Sequence, residues 1–422
     1  MGKHSKSNRD DIDEQNPKSN KDFERKPNST VVWFICSIGI FVVSFSLISV
    51  VFPGLLISIV DTNLFGETFE IGVMGIPFLI VNVIIFSLIV LGIKQRLPNA
   101  FTDIIQKILS FDISKRNSFV ILIIILLIYV VVTVNELSIY ELNQYGDFLV
   151  LEKAVKIWPE QESENKYLAE QFDRHVRMGL LVASEEVFNN IKIIPYLASI
   201  FLLITTYFLT VKLSEKNFTG LIAVILILQS STFYVYDTIA VYENFWVLFY
   251  VFSIYLIFKK PKFSSVFFIL SIFSKAIFVL WLPISILVTL LSDIPKNKKI
   301  FVIITHVLVI IISVIIFQYS DAVYGNVVDI EVSEFWIGFT TLSSNLRFDI
   351  LLLLLLPVSV GLFIKARRGS KNSISLLVLI SGTILVTPVL EMITDYYFVY
   401  PYRYVPLVVF FAIGLSTLFS KK

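Results

Sequence analysis

The chain has a single cysteine, Cys36, so it can form no internal disulfide and offers no cysteine-based metal site. Placed within an apolar run, Cys36 reads as a small buried hydrophobe. Histidine is scarce too: His4, His175 and His306 lie far apart and form no metal-binding spacing. A Gly-rich phosphate loop and a nucleophile elbow are both absent, which removes the usual nucleotide-binding and serine-hydrolase signatures. Charged residues make up only 16% of the 422, and a net charge of +2 is too small for a nucleic-acid footprint. Apolar residues dominate instead: 56% of the chain is hydrophobic and the mean hydropathy is +0.80. A soluble domain of this size must keep its outer face polar and could not hide so much apolar surface. A bilayer reverses that requirement, and apolar helices of roughly 20 residues become the stable unit. The expected fold class is therefore all-α, a polytopic membrane helical bundle.

Apolar runs occur at 31–60, 72–93, 118–134, 191–211, 218–235, 244–258, 263–274, 276–292, 300–317, 350–364, 373–390 and 404–419, predicting about twelve transmembrane helices. Residues 1–30 are polar and mixed in charge, which predicts a disordered cytoplasmic tail. The first run is too long for a signal-peptide core and no small-residue cleavage pattern follows it, so it reads as a retained span. Counted from a cytoplasmic N-terminus, segments 94–116, 212–216, 259–262, 296–299, 365–371 and 421–422 hold nineteen Lys and Arg, and the opposite segments nine. The positive-inside rule then sets both termini in the cytoplasm of a multi-pass cell-membrane protein. Merging 263–292 into one helix would turn nine later cations outward and leave only Arg347 and Arg403 inside. The charge pattern thus favours a tight outward hairpin at Ser274-Lys275.

Two further segments read as helices that do not span. Residues 99–111 set Phe101, Ile104, Ile105, Ile108 and Leu109 on one face against Asp103, Gln106, Lys107 and Ser110, the pattern of a helix lying on the cytoplasmic membrane surface. The long outward loop 135–190 carries Phe148, Leu151, Val155 and Trp158 at helical spacing, predicting a second interfacial helix just after Gly146-Asp147. A loop this long between membrane helices usually has a function.

The same outward border gathers ionisable residues from at least five segments: Asp147, Arg174, Arg177, Asp237, Glu243, Lys275, Glu391, Asp395 and Arg403. Charges near hydrocarbon are costly, so several at one depth suggest a shared polar cavity, although each alone could snorkel to water. His306, inside a span, reads as a hydrogen-bonded packing residue rather than a proton relay.

From 118 to the C-terminus the sequence resembles the integral-membrane glycosyltransferases of the GT-C superfamily, above all the branch of protein mannosyltransferases and aminoarabinose transferases. The resemblance rests on an ordered series of motifs. These are Tyr145-Gly146-Asp147-Phe148, the stretch Arg174 to Gly179, the helix Pro195 to Leu213, Tyr242-Glu243-Asn244-Phe245, Ser274-Lys275 with Pro283, and Pro401-Tyr402-Arg403-Tyr404-Val405-Pro406. Phe148 stands where protein mannosyltransferases carry a Glu after the loop Asp, which argues against that narrower group. Residues 31–117, the first two spans and the surface helix, precede the family-like core 118–422.

The resemblance implies inverting transfer of a hexosyl or mannosyl-type sugar from a polyprenyl-phosphate carrier to an acceptor hydroxyl at the outer membrane face. It implies Asp147 as the general base. It also implies Lys275 and Arg403 on the donor phosphate, with Glu243, Arg174, Arg177, Asp237 and Tyr404 around the substrate. No soluble cofactor or metal is expected; the partners are the lipid-linked donor, membrane lipid and an acceptor glycan, lipid or protein. An Asp before a helix also reads as an N-cap, and the helix dipole would help keep it ionised. The rival reading is a secondary transporter or lipid-linked-sugar flippase. Against it stand the absence of an internal repeat and of ionisable residues deep in the spans, apart from His306.

Overall fold

The computed structural model describes residues 29–57, 68–158, 175–319, 330–332, 334–346, 349–393 and 401–420. The expected tail at 1–28, together with Arg174, Arg347 and Asp395, lies outside them. Among the described residues there is no strand. The helices are α1 (Ser29–Val51), α2 (Pro53–Ile57), α3 (Gly75–Ile93), α4 (Asn99–Ser110), α5 (Lys115–Thr133) and α6 (Phe148–Ile157). Next come α7 (His175–Phe188), α8 (Ile193–Ser214), α9 (Asn217–Leu228), α10 (Ser231–Tyr236), α11 (Phe245–Lys259) and α12 (Ser264–Ser274). The last are α13 (Leu282–Leu291), α14 (Lys296–Tyr319), α15 (Glu334–Asn345), α16 (Ile350–Arg367), α17 (Lys371–Ile393) and α18 (Val405–Leu418). Eight helices among the described residues are long and apolar enough to cross a membrane, and four shorter apolar helices cover 217–228, 245–259, 261–274 and 276–291. The protein is thus an all-helical, multi-pass membrane protein.

Local chemistry explains where the helices depart from the apolar runs. The run 31–60 is not one helix, because Pro53 lacks an N–H and disfavours helical backbone at Phe52; α1 stops at Val51 and α2 restarts. Helix α1 also takes in the last two residues of the expected tail, Ser29 and Thr30. The run 218–235 breaks at Gln229-Ser230, where Ser230 Oγ accepts the Phe233 N–H and caps α10. Asp349 caps α16 by accepting the Leu351 N–H at 3.0 Å, and its second oxygen accepts the Ser230 hydroxyl, so one carboxylate ties two helix starts together. Helix α15 corresponds to no predicted run. It packs on α1, α2 and α17.

Hydrogen bonds sort the helix ends into two faces. On one face Asn217 donates to the Ile113 carbonyl (3.0 Å), Asn372 to Leu213 (2.7 Å) and Lys371 to Asp293 (2.5 Å). On the other, Arg177 meets Glu243 and Lys275 reaches Tyr402. Lys275 and Asp293 therefore sit at opposite ends, and 264–291 runs from one end to the other and back.

Helix α17 forms the axis and is buried along most of its length against α1, α13, α15, α16 and α18. Helix α15 approaches it so closely that a Cβ on Gly338 would come within 2.5 Å of Pro388 Cα; only glycine fits there. By contrast, α3 buries only Gly75, Phe78 and Asn82, and leaves Val83, Ile84 and Ile93 exposed. Surface helix α4 buries nothing, and Phe101, Ile104, Ile105 and Ile108 all stay exposed. Helix α6 forms where expected, but its stripe of Phe148, Leu151 and Val155 is buried, with α7 packed beside it.

Most buried hydroxyls bond within their own helix. Ser46, Thr206, Thr210, Ser285, Thr289, Ser381 and Ser416 each donate to the carbonyl four residues earlier, at 2.6–3.0 Å. His306 does the same, its Nδ1 donating to Val302 at 2.8 Å while its ring packs on Phe268, as a packing residue should.

The two-faced arrangement makes a direct expectation. In a Cys36→Ser background, single cysteines at Gln144 and Ser370 should be labelled by a membrane-impermeant maleimide from opposite sides of sealed vesicles. Labelling of both from one side would overturn the assignment of these segments to opposite ends.

Candidate active site

The segment 236–246 crosses the far face without helical hydrogen bonding over much of its length, yet every one of its residues is buried. Peptide groups in that position need partners, and charged side chains supply them. Glu141, which is 1% exposed, accepts the Ala240 N–H at 2.7 Å and the Val241 N–H at 3.2 Å. Arg177 takes the carbonyl side, Nη2 donating to Val241 at 2.6 Å and to Ala240 at 3.4 Å, while its Nε bonds Glu243 at 2.9 Å. Lys192 Nζ lies 3.9 Å from Glu141 and donates to the carbonyls of Glu136 (2.6 Å) and Ile139 (3.2 Å). Burial pushes the Glu141 and Glu243 carboxyls above the usual range; the Ala240 N–H and Lys192 oppose this at Glu141, as Arg177 does at Glu243.

This clamp presents Tyr242. Its hydroxyl donates to Asp147 Oδ2 at 3.1 Å, and its ring stacks on Tyr402 at 4.6 Å with the planes 13° apart. Tyr145 and Tyr236 stand edge-on to Tyr242, at 5.2 and 6.0 Å. On the inner side, the Tyr402 hydroxyl accepts both Lys275 Nζ (2.8 Å) and Arg403 Nε (3.1 Å), and Lys275 also sits 4.0 Å from the Tyr402 ring centre. Lys275 has no carboxylate within ion-pair distance among the described residues. Burial lowers its pKa to about 8, with Arg403 acting in the same direction and Tyr402 against it. An anion arriving at Lys275 would reverse that penalty.

The expected site residues thus divide. Asp147, Lys275 and Arg403 converge on the stacked tyrosines, and Glu243 and Arg177 form the buried pair behind them. Asp147 stands at the N-cap position of α6 but makes no capping bond, because its carboxylate turns to Tyr242 instead; the capping role is not the one it fills. Asp237 lies apart. It accepts the Tyr129 hydroxyl at 2.6 Å, is fully buried, and has its pKa raised to about 7 by burial, against the pull of Tyr129. Tyr404 is buried in the 3-10 turn that leads into α18. Glu391 is buried at the end of α17, close to Gly338. A cavity of about 400 Å³ opens beside the clamp, lined in part by Glu136, Gln144, Tyr145, Lys192, Tyr234 and Thr238. Among the described residues no group of three or more His, Cys, Asp or Glu side chains is arranged to hold a metal ion.

Sequence reasoning gave no role to Glu141, Lys192 or Tyr129, and treated Tyr242 and Tyr402 only as parts of motifs. Glu141 did have a signal, an acid in the opening of a long loop six residues before Asp147. No protein-family model, curated protein or solved structure matches this chain.

Removing one side of a buried ion pair leaves the other charge without compensation. Arg177→Ala should therefore destabilise the protein by roughly 3–5 kcal/mol, read by thermal unfolding in detergent. The Arg177→Met/Glu243→Met double variant should recover much of this, and failure of the single variant to lower stability would refute the clamp.

Proposed function

We propose that this protein is an integral-membrane glycosyltransferase that moves a sugar from a polyprenyl-phosphate carrier to an acceptor hydroxyl, with inversion, at the outer membrane face. One observation carries the reading: a carboxylate, Asp147, and two cations, Lys275 and Arg403, bear on opposite sides of a single stacked pair, Tyr242 and Tyr402. Such a transfer needs a base for the acceptor and positive charge for the leaving phosphate, a few ångströms apart.

In the proposed step the acceptor oxygen attacks the anomeric carbon while Asp147 takes its proton. The new C–O bond forms as the bond from the anomeric carbon to the phosphate oxygen breaks, and the carrier phosphate leaves with the electron pair. Lys275 and Arg403 hold the phosphate as that charge develops, and the Tyr242 hydroxyl orients Asp147. Glu243 and Arg177 serve by fixing the 240–243 backbone rather than by touching the sugar. The neighbouring cavity, which shares Tyr145 with the tyrosine cluster, gives room for the hydroxyl-rich acceptor. The accompanying topology has twelve crossings, the four shorter apolar helices included, with both termini cytoplasmic and the Asp147 face outside. It draws on the charge bias of the loops. A transporter reading gains nothing comparable, since the ionisable cluster sits at one end of the bundle rather than midway along it.

Asp147→Asn should leave donor binding intact and lower transfer, assayed with purified protein and lipid-linked sugars, by about 10²–10⁴-fold. Turnover per folded molecule equal to that of the parent would refute the base assignment. Donor binding tests the cations separately. A charge-assisted contact is worth roughly 1.5–3 kcal/mol, so Lys275→Ala and Arg403→Ala should each weaken polyprenyl-phosphate binding about tenfold to a hundredfold. Arg403→Lys should recover only part of this, because lysine lacks the forked donor pattern. The pH dependence has a definite sign: Lys275 is an ammonium below its pKa of about 8, so donor affinity should fall as pH rises through that value. Lys275→Ala should abolish that dependence, and an unchanged pH profile would remove Lys275 from the phosphate site.

A further inference from the structure

At the end of the bundle opposite Asp147, a cavity of about 880 Å³ opens among the ends of α8, α11, α13, α16, α17 and α18. Its wall carries four cations, Lys212, Lys365, Arg368 and Lys371, and two acids, Glu215 and Asp293. The cations outnumber the acids by two. Lys371 pairs with Asp293 at 2.5 Å, while Lys365 spends its donors on the carbonyls of Thr417 and Ser420 and on the Ser420 hydroxyl, at 2.8–2.9 Å. Lys212 and Arg368 are exposed and, among the described residues, make no side-chain hydrogen bond or ion pair. Two positive groups therefore stand over the cavity without a carboxylate partner among the described residues.

The backbone adds to this polarity. The chain turns at Gly369, whose φ of +98° is open to glycine, and enters the 23-residue helix α17 at the cavity wall. Ser370 satisfies the Ser373 N–H at 3.4 Å and its carbonyl accepts the Ile374 N–H, while the N–H groups of Lys371 and Asn372 remain at the positive end of the helix. Exposed cations, a helix N-terminus and a tight glycine turn together form a receptor for a tetrahedral oxyanion.

The other part of the lining decides how such an anion arrives. Leu109, Phe258, Ile294 and Leu418 give the cavity an apolar side, and Leu109 belongs to the surface helix α4 with its exposed Phe101, Ile104 and Ile105. A soluble anion has no use for that side, whereas a lipid could lay its acyl chains along it. We infer that the cavity binds the phosphate headgroup of an anionic membrane lipid, on Lys212, Arg368 and the start of α17, with its acyl chains leaving past α4. On the topology proposed above this lipid sits in the cytoplasmic leaflet. The site is independent of Asp147 and of the transferase reading.

Native mass spectrometry of the full-length protein, titrated with dioleoylphosphatidylglycerol and with dioleoylphosphatidylcholine, tests this. The anionic lipid should bind more tightly than the zwitterionic one. Lys212→Gln and Arg368→Gln should each weaken its binding about fivefold, and the double variant about 25-fold. Both side chains are exposed, so the variants should fold normally, and Lys153→Gln on the opposite face should leave binding unchanged. Equal affinity for the two lipids would overturn the site, as would parent-like binding by the double variant. Displacement of the lipid by millimolar inorganic phosphate alone would show a free-anion site instead and overturn the lipid assignment.

Discussion

Two peptide units, Ala240 and Val241, are clamped from both sides by buried charges: Glu141 holds their N–H groups and Arg177 their carbonyls. With Ser199 on the Asp237 carbonyl and Asn244 on that of Tyr236, these bonds let an irregular, wholly buried segment exist in an apolar protein, where an unpaired peptide group costs several kcal/mol. Tyr242 and Glu243 follow directly from those peptides, and the stack on Tyr402 and the contact to Asp147 follow from Tyr242. The arrangement also explains why the acids here are not surplus charge. Glu141 is occupied in holding backbone and Glu243 in pairing with Arg177, while Lys275 and Arg403 place positive charge beside the tyrosines.

The helices were legible because an apolar run in a membrane protein needs no periodicity to be recognised; length and hydropathy suffice. What could not be read was where such a run breaks. Pro53 was visible, but the break at Ser230 depends on Asp349, 119 residues away. Helix α15 escaped because its sequence, EFWIGFTTLSSN, mixes apolar and polar residues and is too short for a span. The out-and-back course of 264–291 was legible from charge alone.

The site was legible in part, and along a clear physical line. Residues that stand out locally, such as an acid before a helix or a lysine in a tight turn, were found. Residues that matter through a distant partner were not: Glu141 acts on backbone 99 and 100 residues away, and no local pattern marks it. The same blindness gave Asp147 a cap it does not make and grouped Asp237 with residues it does not touch, since its partner is Tyr129. Arg177 stood in the sequence only as one of several border charges, because its partner Glu243 lies 66 residues away.

The hydroxyls that bond back into their own helices bear on the order of assembly. A helix such as α8, with Thr206 and Thr210 already satisfied one turn earlier, enters lipid as a finished unit and needs no neighbour to be stable there. Its partners can then be chosen by shape. The 240–243 knot is the opposite case, for Glu141, Arg177 and Glu243 belong to three separate segments, and until they meet each is an expensive charge beside hydrocarbon. Insertion of the helices and completion of this face are therefore separable events. The second waits on the first, and this face of the molecule is the last part of it to be made.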